Sequence, residues 1–358
     1  MSKDKRHYII PIFVSHRGCP HDCIFCNQKK ITGQGGDVGG DEVKNKIEEY
    51  LQTIPKENAI VELAFYGGSF TAIPIDQQES LLRAVQPYIA QGAIQNIRIS
   101  TRPDCIDMQV IQLLKSYRVQ IVELGVQSMD DEVLKISNRG HNSQDVINAV
   151  TMLKQHGFIV GVQVMVGLPN DTMQKSINTV KKLIELKPDI ARIYPVLVIT
   201  NTYLEQLFYR EEYQPLSLEA TVEICKKLLI LFEKSNIEVI RIGLQPTENI
   251  LEGKEVVAGP FHSSMRQLVV SAIYRDMIEY MLKDEGAINK LEIVVHPQDI
   301  SDILGQKRNN FDYIKSHMSI GKLVITQSND IDRQCILLKY GEKRRKMSRK
   351  DFHNISTI

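Results

Sequence analysis

The chain has 358 residues, of which 43% are hydrophobic and 24% are charged. This composition is typical of a globular protein and excludes global disorder. The 44 Lys and Arg residues nearly balance the 43 Asp and Glu residues, for a formal net charge of +1. Global electrostatic attraction to nucleic acid is therefore not expected, although a local basic patch could still bind it.

The N-terminal segment does not have the pattern of a secretory signal. Its apolar run, Tyr8–Val14, is short and ends at Ser15, His16 and Arg17, whereas a signal peptide needs a longer apolar region. No apolar run approaches the roughly 18 residues that span a bilayer. We therefore expect a cytoplasmic protein that makes no membrane contact, in a compartment where structural disulfides are disfavoured.

Strand-like and helix-like segments alternate up to about residue 250. Short runs rich in Val and Ile suggest strands buried on both faces, and stretches of helical period separate them. The predicted strands are Tyr8–Ser15, Ile60–Tyr66, Ile97–Thr101, Val119–Gly125, Ile159–Val166 and Ile190–Leu197. The predicted helices are Asp41–Gln52, Gln77–Ala90, Asp107–Ser116, Asp130–Ile136, Ser143–His156, Asp171–Leu186 and Leu216–Lys234.

This alternation indicates parallel strands joined by right-handed crossovers. The expected fold class is α/β, a partial (β/α)6 TIM-like barrel, with a possible seventh strand at Ile237–Gly243. A doubly wound sheet is the competing architecture, and periodicity does not separate the two. In both, ligands bind at the carboxyl ends of the strands.

The pattern changes after residue 250, which suggests a barrel domain over 1–250 and a small α+β accessory domain over 251–358. The expected elements of the second domain are helices at Ser263–Lys283 and Pro297–Met318, strands at Leu291–His296, Lys322–Thr326 and Gln334–Tyr340, and a turn at Asn329–Asp330. Its final segment, residues 341–350, carries six basic residues against the single acid Glu342. That segment is either a flexible solvated end or a phosphate-contacting element.

Cysteine spacing supplies the first chemical signal. Cys19, Cys23 and Cys26 follow the first strand in C-x3-C-x2-C spacing, and soft thiolates favour zinc or iron–sulfur clusters. One interpretation is a zinc site completed by His16 or His21, because structural zinc needs four protein ligands. The other is a [4Fe–4S] cluster with one iron left open. The remaining cysteines, which are scattered, are expected to be buried thiols: Cys105, Cys225 and Cys335.

In this spacing, with Phe25 before the last cysteine, the loop resembles the signature of the radical S-adenosylmethionine (SAM) superfamily. Further motifs follow the predicted strands: Tyr66–Thr71, Ser100–Asp104, Glu123–Ser128, Asn138–His141, Gly167–Asn170 and Tyr194–Ile199. In combination they resemble the radical-SAM part of the Elongator catalytic subunit and its shorter bacterial relatives. The chain is more distantly similar to oxygen-independent coproporphyrinogen III oxidase. Nothing after residue 250 resembles the acetyltransferase domain of the full subunit.

The resemblance implies that the three cysteines hold a [4Fe–4S] cluster whose open iron binds SAM, which is cleaved to a 5′-deoxyadenosyl radical. It places Gly67, Gly68 and Ser69 at the methionyl amino group, although many relatives have Glu in place of Ser69. It places Arg139 against the SAM carboxylate, where a guanidinium can pair with both oxygens, and Gln127 as a polar SAM contact. Gln163 aligns with a ribose-contacting acid of the oxidase. Ser100 replaces a glutamate and could bond a ribose hydroxyl without supplying charge.

Other polar residues near these motifs have two interpretations each. Arg102 either pairs with Asp104 or faces the substrate. His141 and His262 are better explained as hydrogen-bonded structural histidines than as proton donors or substrate contacts.

Three functional hypotheses follow from these motifs. The first is an enzyme that uses radical chemistry to modify RNA, with tRNA as partner and a flavodoxin or ferredoxin as electron donor. The second is radical chemistry on a small molecule such as a tetrapyrrole. The third is an RNA-binding protein that carries a cluster or zinc and has no turnover.

Overall fold

The structure is a computed structural model that describes residues 6–14, 19, 21–27, 38–55, 57–244 and 254–356. Its main element is a sheet of seven parallel strands, in which each strand pairs with the strand before it in the sheet. These strands are β1 (Arg6–Phe13), β2 (Ala59–Tyr66), β3 (Asn96–Thr101), β4 (Val119–Gln127), β5 (Ile159–Val166), β6 (Ile190–Pro195) and β8 (Glu238–Ile242).

Helices connect the strands. They are α1 (Gly40–Thr53), α2 (Ile75–Ala90), α3 (Met108–Ser116), α4 (Asp131–Ile136), α5 (Ser143–Gln155), α6 (Met173–Glu185), α7 (Tyr203–Tyr209) and α8 (Leu218–Lys234). Side-chain N-caps define where several of them begin: Asp107, Asn142 and Ser217 each accept a bond from a backbone N–H in the first turn. Such caps satisfy amides that have no partner within the helix.

Strand order decides between the two architectures left open by the sequence. A doubly wound sheet reverses its order at a switch point, whereas this sheet runs β1-β2-β3-β4-β5-β6-β8 with parallel pairs throughout. The sheet is therefore a curled half-barrel, as the first interpretation predicts. The seventh strand, expected at Ile237–Gly243, is present as β8.

The two faces of this sheet differ in polarity, although the Val- and Ile-rich runs suggested burial on both. Side chains on one face, such as Leu63, Ile99 and Val122, are fully buried in the apolar core. Alternate residues on the other face are mostly polar: Glu62, Arg98 and Glu123 are buried, whereas Tyr66 and Gln163 are half-buried. Because side chains alternate along a strand, the polar side chains lie together on the inner face of the half-barrel.

A second unit follows the barrel. It contains β9 (Val256–Ala258), α9 (Met265–Leu282), β10 (Ile288–Val295), α10 (Ile300–Leu304), α11 (Asn309–His317), β11 (Ile320–Gln327), β12 (Cys335–Tyr340), β13 (Lys343–Ser348) and α12 (Arg349–Ile355). Four of its strands form a sheet in the order β11-β10-β12-β13. The short strand β9 instead pairs with β7 (Val198–Ile199), which follows β6. Both short strands and α7 were absent from the sequence-based prediction.

Two predictions about this unit are wrong in part. The single helix expected at Pro297–Met318 is interrupted, because Gly305, Lys307 and Arg308 have positive φ values of 73°, 50° and 66°. The basic segment is not a flexible end: residues 343–348 form β13, which pairs antiparallel with β12. The turn expected at Asn329–Asp330 is present.

One apolar cluster runs continuously from Ile10 in the barrel to Phe352 in α12. The boundary expected at residue 250 lies outside the described residues, and the division into domains stays a prediction. No helix in the described ranges has the length and apolar character needed to cross a membrane.

Candidate functional site

The cysteine loop, residues 19–27, follows β1 at the carboxyl edge of the sheet. Cys23 is buried, and Cys19 and Cys26 are partly exposed. Within the loop, the Cys26 N–H donates to the Cys23 carbonyl at 3.0 Å. Ile24, between the cysteines, packs in a separate apolar cluster with Leu168 and Leu204, which fixes the loop to the ends of neighbouring elements.

The loop is also hydrogen-bonded to the segment after α4. The Ile24 N–H donates to the Ser137 carbonyl at 3.3 Å, and the Asn138 side-chain amide donates to the Asp22 carbonyl at 2.8 Å. Gly140, at φ +70°, lies so close to His21 that a Cβ there would be 2.2 Å from the ring. Asn138 and Gly140 therefore help to position this loop, a role that was not predicted from the sequence.

Arg139 joins the cysteine loop to the central strand of the barrel. Its Nη1 donates to Cys23 Sγ at 3.1 Å, and its Nη2 donates to the Gly125 carbonyl in β4 at 2.7 Å. The side chain is buried, yet its Nε has no hydrogen-bond partner among the described residues. The guanidinium therefore retains one free donor at the site.

Arg102 supports Arg139 through a hydrogen bond to its backbone carbonyl. Its Nε lies 3.0 Å from Asp104 Oδ1, and it donates to the Arg139 carbonyl. Burial opposes the charged form, but the bonds to Asp104 outweigh it and raise the pKa of the Arg102 guanidinium. Of the two interpretations of Arg102, the structure shows the ion pair with Asp104.

The glycine turn after β2 reaches the same loop. Gly67 has φ +88°, a conformation that L-residues with a side chain rarely adopt, and Ser69 is buried beyond it. Ser69 Oγ lies 3.6 Å from Cys19 Sγ. Ser69, at the end of the glycine turn, thus borders the first cysteine.

A second pair of predicted residues meets farther along the sheet. Gln163 Nε2 donates to Gln127 Oε1 at 3.1 Å, and the Gln127 amide lies beside Gly125. Ser100 is opposite Glu123 in the strand register and makes no side-chain hydrogen bond within the described ranges. The structure thus brings Arg139 together with Cys23, Ser69 with Cys19, and Gln127 with Gln163, and leaves Ser100 apart from these contacts. The roles assigned to them stay predictions.

A ladder of buried charges lies on the inner face of the barrel and was not predicted. Arg98 Nη2 lies 2.8 Å from Glu62 Oε2, and Arg98 also pairs with Glu123. Glu123 in turn binds Arg192 Nε at 2.6 Å. Gly161 makes room for the ladder, since a Cβ there would be 2.9 Å from Glu123 Cγ. The available sequence signal was the even spacing of polar residues, two apart in Arg98/Ser100 and Arg192/Tyr194 and four apart in Glu62/Tyr66, which places each pair on one face of its strand.

Two phenols end the ladder. Arg192 donates to Tyr194 Oη at 3.1 Å and to Tyr66 Oη at 3.2 Å. Burial first, and the Glu123 carboxylate second, raise the pKa of Tyr66 to about 12. Because each oxygen accepts from Arg192, each phenol keeps its own O–H available for donation. At Glu62, burial would raise the pKa of the carboxyl, but bonding to Arg98 outweighs it and lowers that pKa.

The remaining histidines and cysteines have contacts or burial expected of structural residues. His141 is buried, with Nε2 3.2 Å from the Val126 carbonyl, and His262 Nδ1 accepts the Ser264 N–H at 3.1 Å. Both contacts are structural. Cys225 and Cys335 are buried, whereas Cys105 is only partly so, and burial raises the pKa of the Cys105 thiol to about 11.

Within the described part of the chain, no three His, Cys, Asp or Glu side chains converge as ligands of one metal ion. The zinc and the cluster interpretations of the cysteine loop both stay predictions. One of the two candidate histidines for zinc, His16, lies outside the described residues.

Comparison with known families identifies the class of protein. The family described as the Radical SAM superfamily matches residues 13–183, and the Radical SAM C-terminal domain matches residues 188–275. The chain belongs to the radical SAM superfamily, a class of enzymes. The membership predicted from the cysteine motif and the motifs at the strand ends is therefore confirmed.

Particular relatives agree with the predicted likeness to Elongator. The tRNA uridine(34) acetyltransferase of Methanocaldococcus jannaschii is 31% identical over 261 residues, which cover 60% of this chain and 47% of the relative. Elongator complex protein 3 of Dictyostelium discoideum is 29% identical over 269 residues, covering 62% of this chain and 48% of the relative. The chain thus spans about half the length of these curated relatives.

Among solved structures, Methanocaldococcus infernus Elp3 with an N-terminal deletion is similar to this chain. The TM-score is 0.62 at 23% identity, and the match covers 76% of this chain and 63% of that one. This likeness supports the fold.

We expect Glu123→Gln to destabilise the protein by about 3 kcal/mol, because it leaves Arg98 and Arg192 buried without their shared counter-charge. Glu79→Gln is the matched control: Glu79 pairs with Arg83 at the surface at 2.6 Å, and its loss should cost less than about 1 kcal/mol. Urea unfolding of the protein without cofactors measures both. Equal losses would show that the ladder contributes no more than a surface ion pair.

The stability of the fold should also depend on pH through His141. Burial, then the charges of Arg139 and Arg102, lower its pKa to about 3, and they outweigh the opposing effects of Asp104 and of the hydrogen bond to the Val126 carbonyl. The unfolded chain binds this proton near pH 6.5, so the contribution is complete above pH 6.5 and is lost as pH falls toward 3. Between pH 6.5 and 4.5, the free energy of unfolding should fall less steeply in His141→Gln than in the exposed-site control His317→Gln. Identical slopes would contradict this.

Proposed function

We propose that Cys19, Cys23 and Cys26 hold a [4Fe–4S] cluster and that the cavity beside them binds SAM. When bound, these groups supply one-electron reductive cleavage of SAM to a 5′-deoxyadenosyl radical. The observation that carries the proposal is the position of Arg139, which contacts a cysteine sulfur with one nitrogen and keeps Nε unpartnered. A cluster-bound ligand with a carboxylate would lie where these two features meet.

The residues present fit both groups. Three thiols on one loop supply soft ligands of the kind that iron–sulfur clusters use, and three rather than four leave one iron open. The free donor of Arg139 fits a carboxylate, to which guanidinium makes its strongest bonds. An unpaired buried donor is costly in a folded protein, so a bound acceptor there would relieve that cost.

The other predicted residues have tasks consistent with their positions. Gly67 and Gly68 expose backbone where an amino group could be held, and Ser69 supplies a hydroxyl next to Cys19. Gln127 and Gln163 present linked amides along the inner face, suited to hydroxyl or base contacts. Ser100, on the same face, is assigned the weaker role of a neutral ribose contact.

The charge ladder lies on the inner face of the barrel, and we assign it a role in substrate binding rather than in holding the cluster. The charge of Arg192 is balanced by Glu123, and its guanidinium fixes both phenols, so the phenols present O–H donors beside a balanced ion pair. The high pKa of Tyr66 keeps that phenol protonated at neutral pH. Such a surface can orient an uncharged substrate through its carbonyl or hydroxyl oxygens.

We infer that the substrate is RNA and that tRNA is the partner. The support is the similarity to proteins named tRNA uridine(34) acetyltransferase. Because the chain matches only about half of those proteins, acetyl transfer is not part of the proposal. We also propose that a flavodoxin or ferredoxin is the reductant and that the protein is cytoplasmic.

The direct test is anaerobic reconstitution with iron and sulfide, followed by assay for 5′-deoxyadenosine under a strong reductant. The proposal predicts that product, together with a modified nucleoside that disappears from the RNA of cells lacking the protein. Cleavage with an unchanged nucleoside profile would refute the RNA substrate and favour a small molecule. Cluster binding with no 5′-deoxyadenosine would refute the enzyme and favour a binding protein.

Two substitutions separate the roles at the site. Cys23→Ala should abolish cluster absorbance, whereas Cys225→Ala, a buried thiol in α8, should retain it. Arg139→Gln should keep most of the cluster but weaken SAM binding about tenfold or more, the loss expected for a charged hydrogen bond. Reconstituted iron content and equilibrium binding of SAM measure these effects. Wild-type SAM affinity in Arg139→Gln would show that the arginine does not bind the carboxylate.

A further inference from the structure

The sheet of the C-terminal unit has one apolar and one basic face. Leu291, Ile293 and Leu338 on one face are fully buried. The alternate residues on the other face include five cations, which fall on all four strands: Lys290, Lys322, Lys339, Arg344 and Lys346. We call this the basic sheet face.

Strand register places these cations side by side. Lys290 pairs with Lys322 across β10 and β11, and Lys339 pairs with Arg344 across β12 and β13. Neighbouring strands are about 4.8 Å apart, and same-face residues along a strand about 6.7 Å apart. Like charges directly opposite one another destabilise a sheet, so the arrangement is not explained by folding.

Few acids neutralise this face. Glu292 lies 3.5 Å from Lys339, and Asp332 lies 2.9 Å from Lys346. The remaining three cations, Lys290, Lys322 and Arg344, are exposed and form no ion pair with described residues. Five positive charges against two negative ones leave a net charge of +3.

The basic side chains of residues 343–346 point to opposite faces of the sheet and have different contacts. Lys343 and Arg345 bind Glu285 at 2.8 and 2.6 Å, and Arg349 is buried against Glu233 at 2.6 Å. These three side chains hold β13 and α12 to the rest of the fold. Arg344 and Lys346 point to the opposite side and contribute to the basic sheet face.

We propose that the basic sheet face binds the phosphate backbone of the RNA substrate, an inference that rests on the proposed function. Exposed Lys and Arg neutralise phosphates and release counterions on binding. Such contacts position an RNA without reading its sequence. The basic sheet face surrounds a small apolar cluster of Val294, Ile331, Cys335 and Leu337. It belongs to a different sheet from the inner face of the barrel, so it would hold the body of the RNA while one nucleotide enters the barrel.

The test compares two triple variants of equal charge change in the full chain. Lys290→Gln, Lys322→Gln and Arg344→Gln remove the unpaired cations of the basic sheet face. Lys44→Gln, Arg83→Gln and Lys115→Gln remove two lysines and one arginine from the exposed surface of α1, α2 and α3. Affinity for unfractionated tRNA is measured between 50 and 200 mM salt, with RNA-free 5′-deoxyadenosine formation as the control for the active site.

The sheet variant should bind tRNA about tenfold more weakly at 0.1 M salt. Its slope of log affinity against log salt should be shallower by about two to three, close to one for each phosphate contact. The barrel variant should bind within about twofold of wild type, and all three proteins should cleave SAM equally. Wild-type tRNA affinity in the sheet variant, equal losses in both variants, or no tRNA binding by wild type would overturn the proposal. Failure of SAM cleavage in wild type would instead refute the proposed function.

Discussion

The site depends on the contact between the Arg139 guanidinium and the Cys23 sulfur. At 3.1 Å this is a hydrogen bond from a cation to a soft acceptor, and the same guanidinium binds the Gly125 carbonyl at 2.7 Å. The cysteine loop is thereby tied to the fourth strand, on the edge where parallel strands present their ligands. Arg102, held by Asp104, supports Arg139 through its carbonyl. In this series of contacts each side chain orients the next. The barrel therefore fixes the position of the cysteine loop.

The half-barrel explains how a charged interior can be stable. Its outer face packs against helices and supplies the apolar core, which leaves the inner face free to carry Glu62, Arg98, Glu123 and Arg192. Two carboxylates and two guanidiniums balance there, and every member of the ladder has a partner. Buried pairs of this kind add little net stability compared with apolar packing. Their value lies in a polar inner face on which the four charges of the ladder cancel.

Much of this could be predicted from local sequence, and the failures have physical causes. The strands and helices of the barrel follow from short-range periodicity, and the motif residues lie at strand ends because the fold presents them there. The charge ladder was missed because Arg98 and Glu123 were read as members of apolar runs, although their alternation with Ile and Leu marks an inner face. β13 was missed because four consecutive basic residues have no strand signal of their own and depend on pairing with β12. The break at Gly305 depends on left-handed backbone at Lys307 and Arg308, which helical period does not reveal.

The most direct test of the central claim is Mössbauer spectroscopy of the protein reconstituted with ⁵⁷Fe, recorded with and without SAM. Three cysteine ligands and one open corner predict a cubane cluster in which one iron changes its spectrum when SAM is added, while the others do not. A cluster whose irons are all unaffected by SAM, or a purified protein that carries stoichiometric zinc in place of iron, would contradict the account.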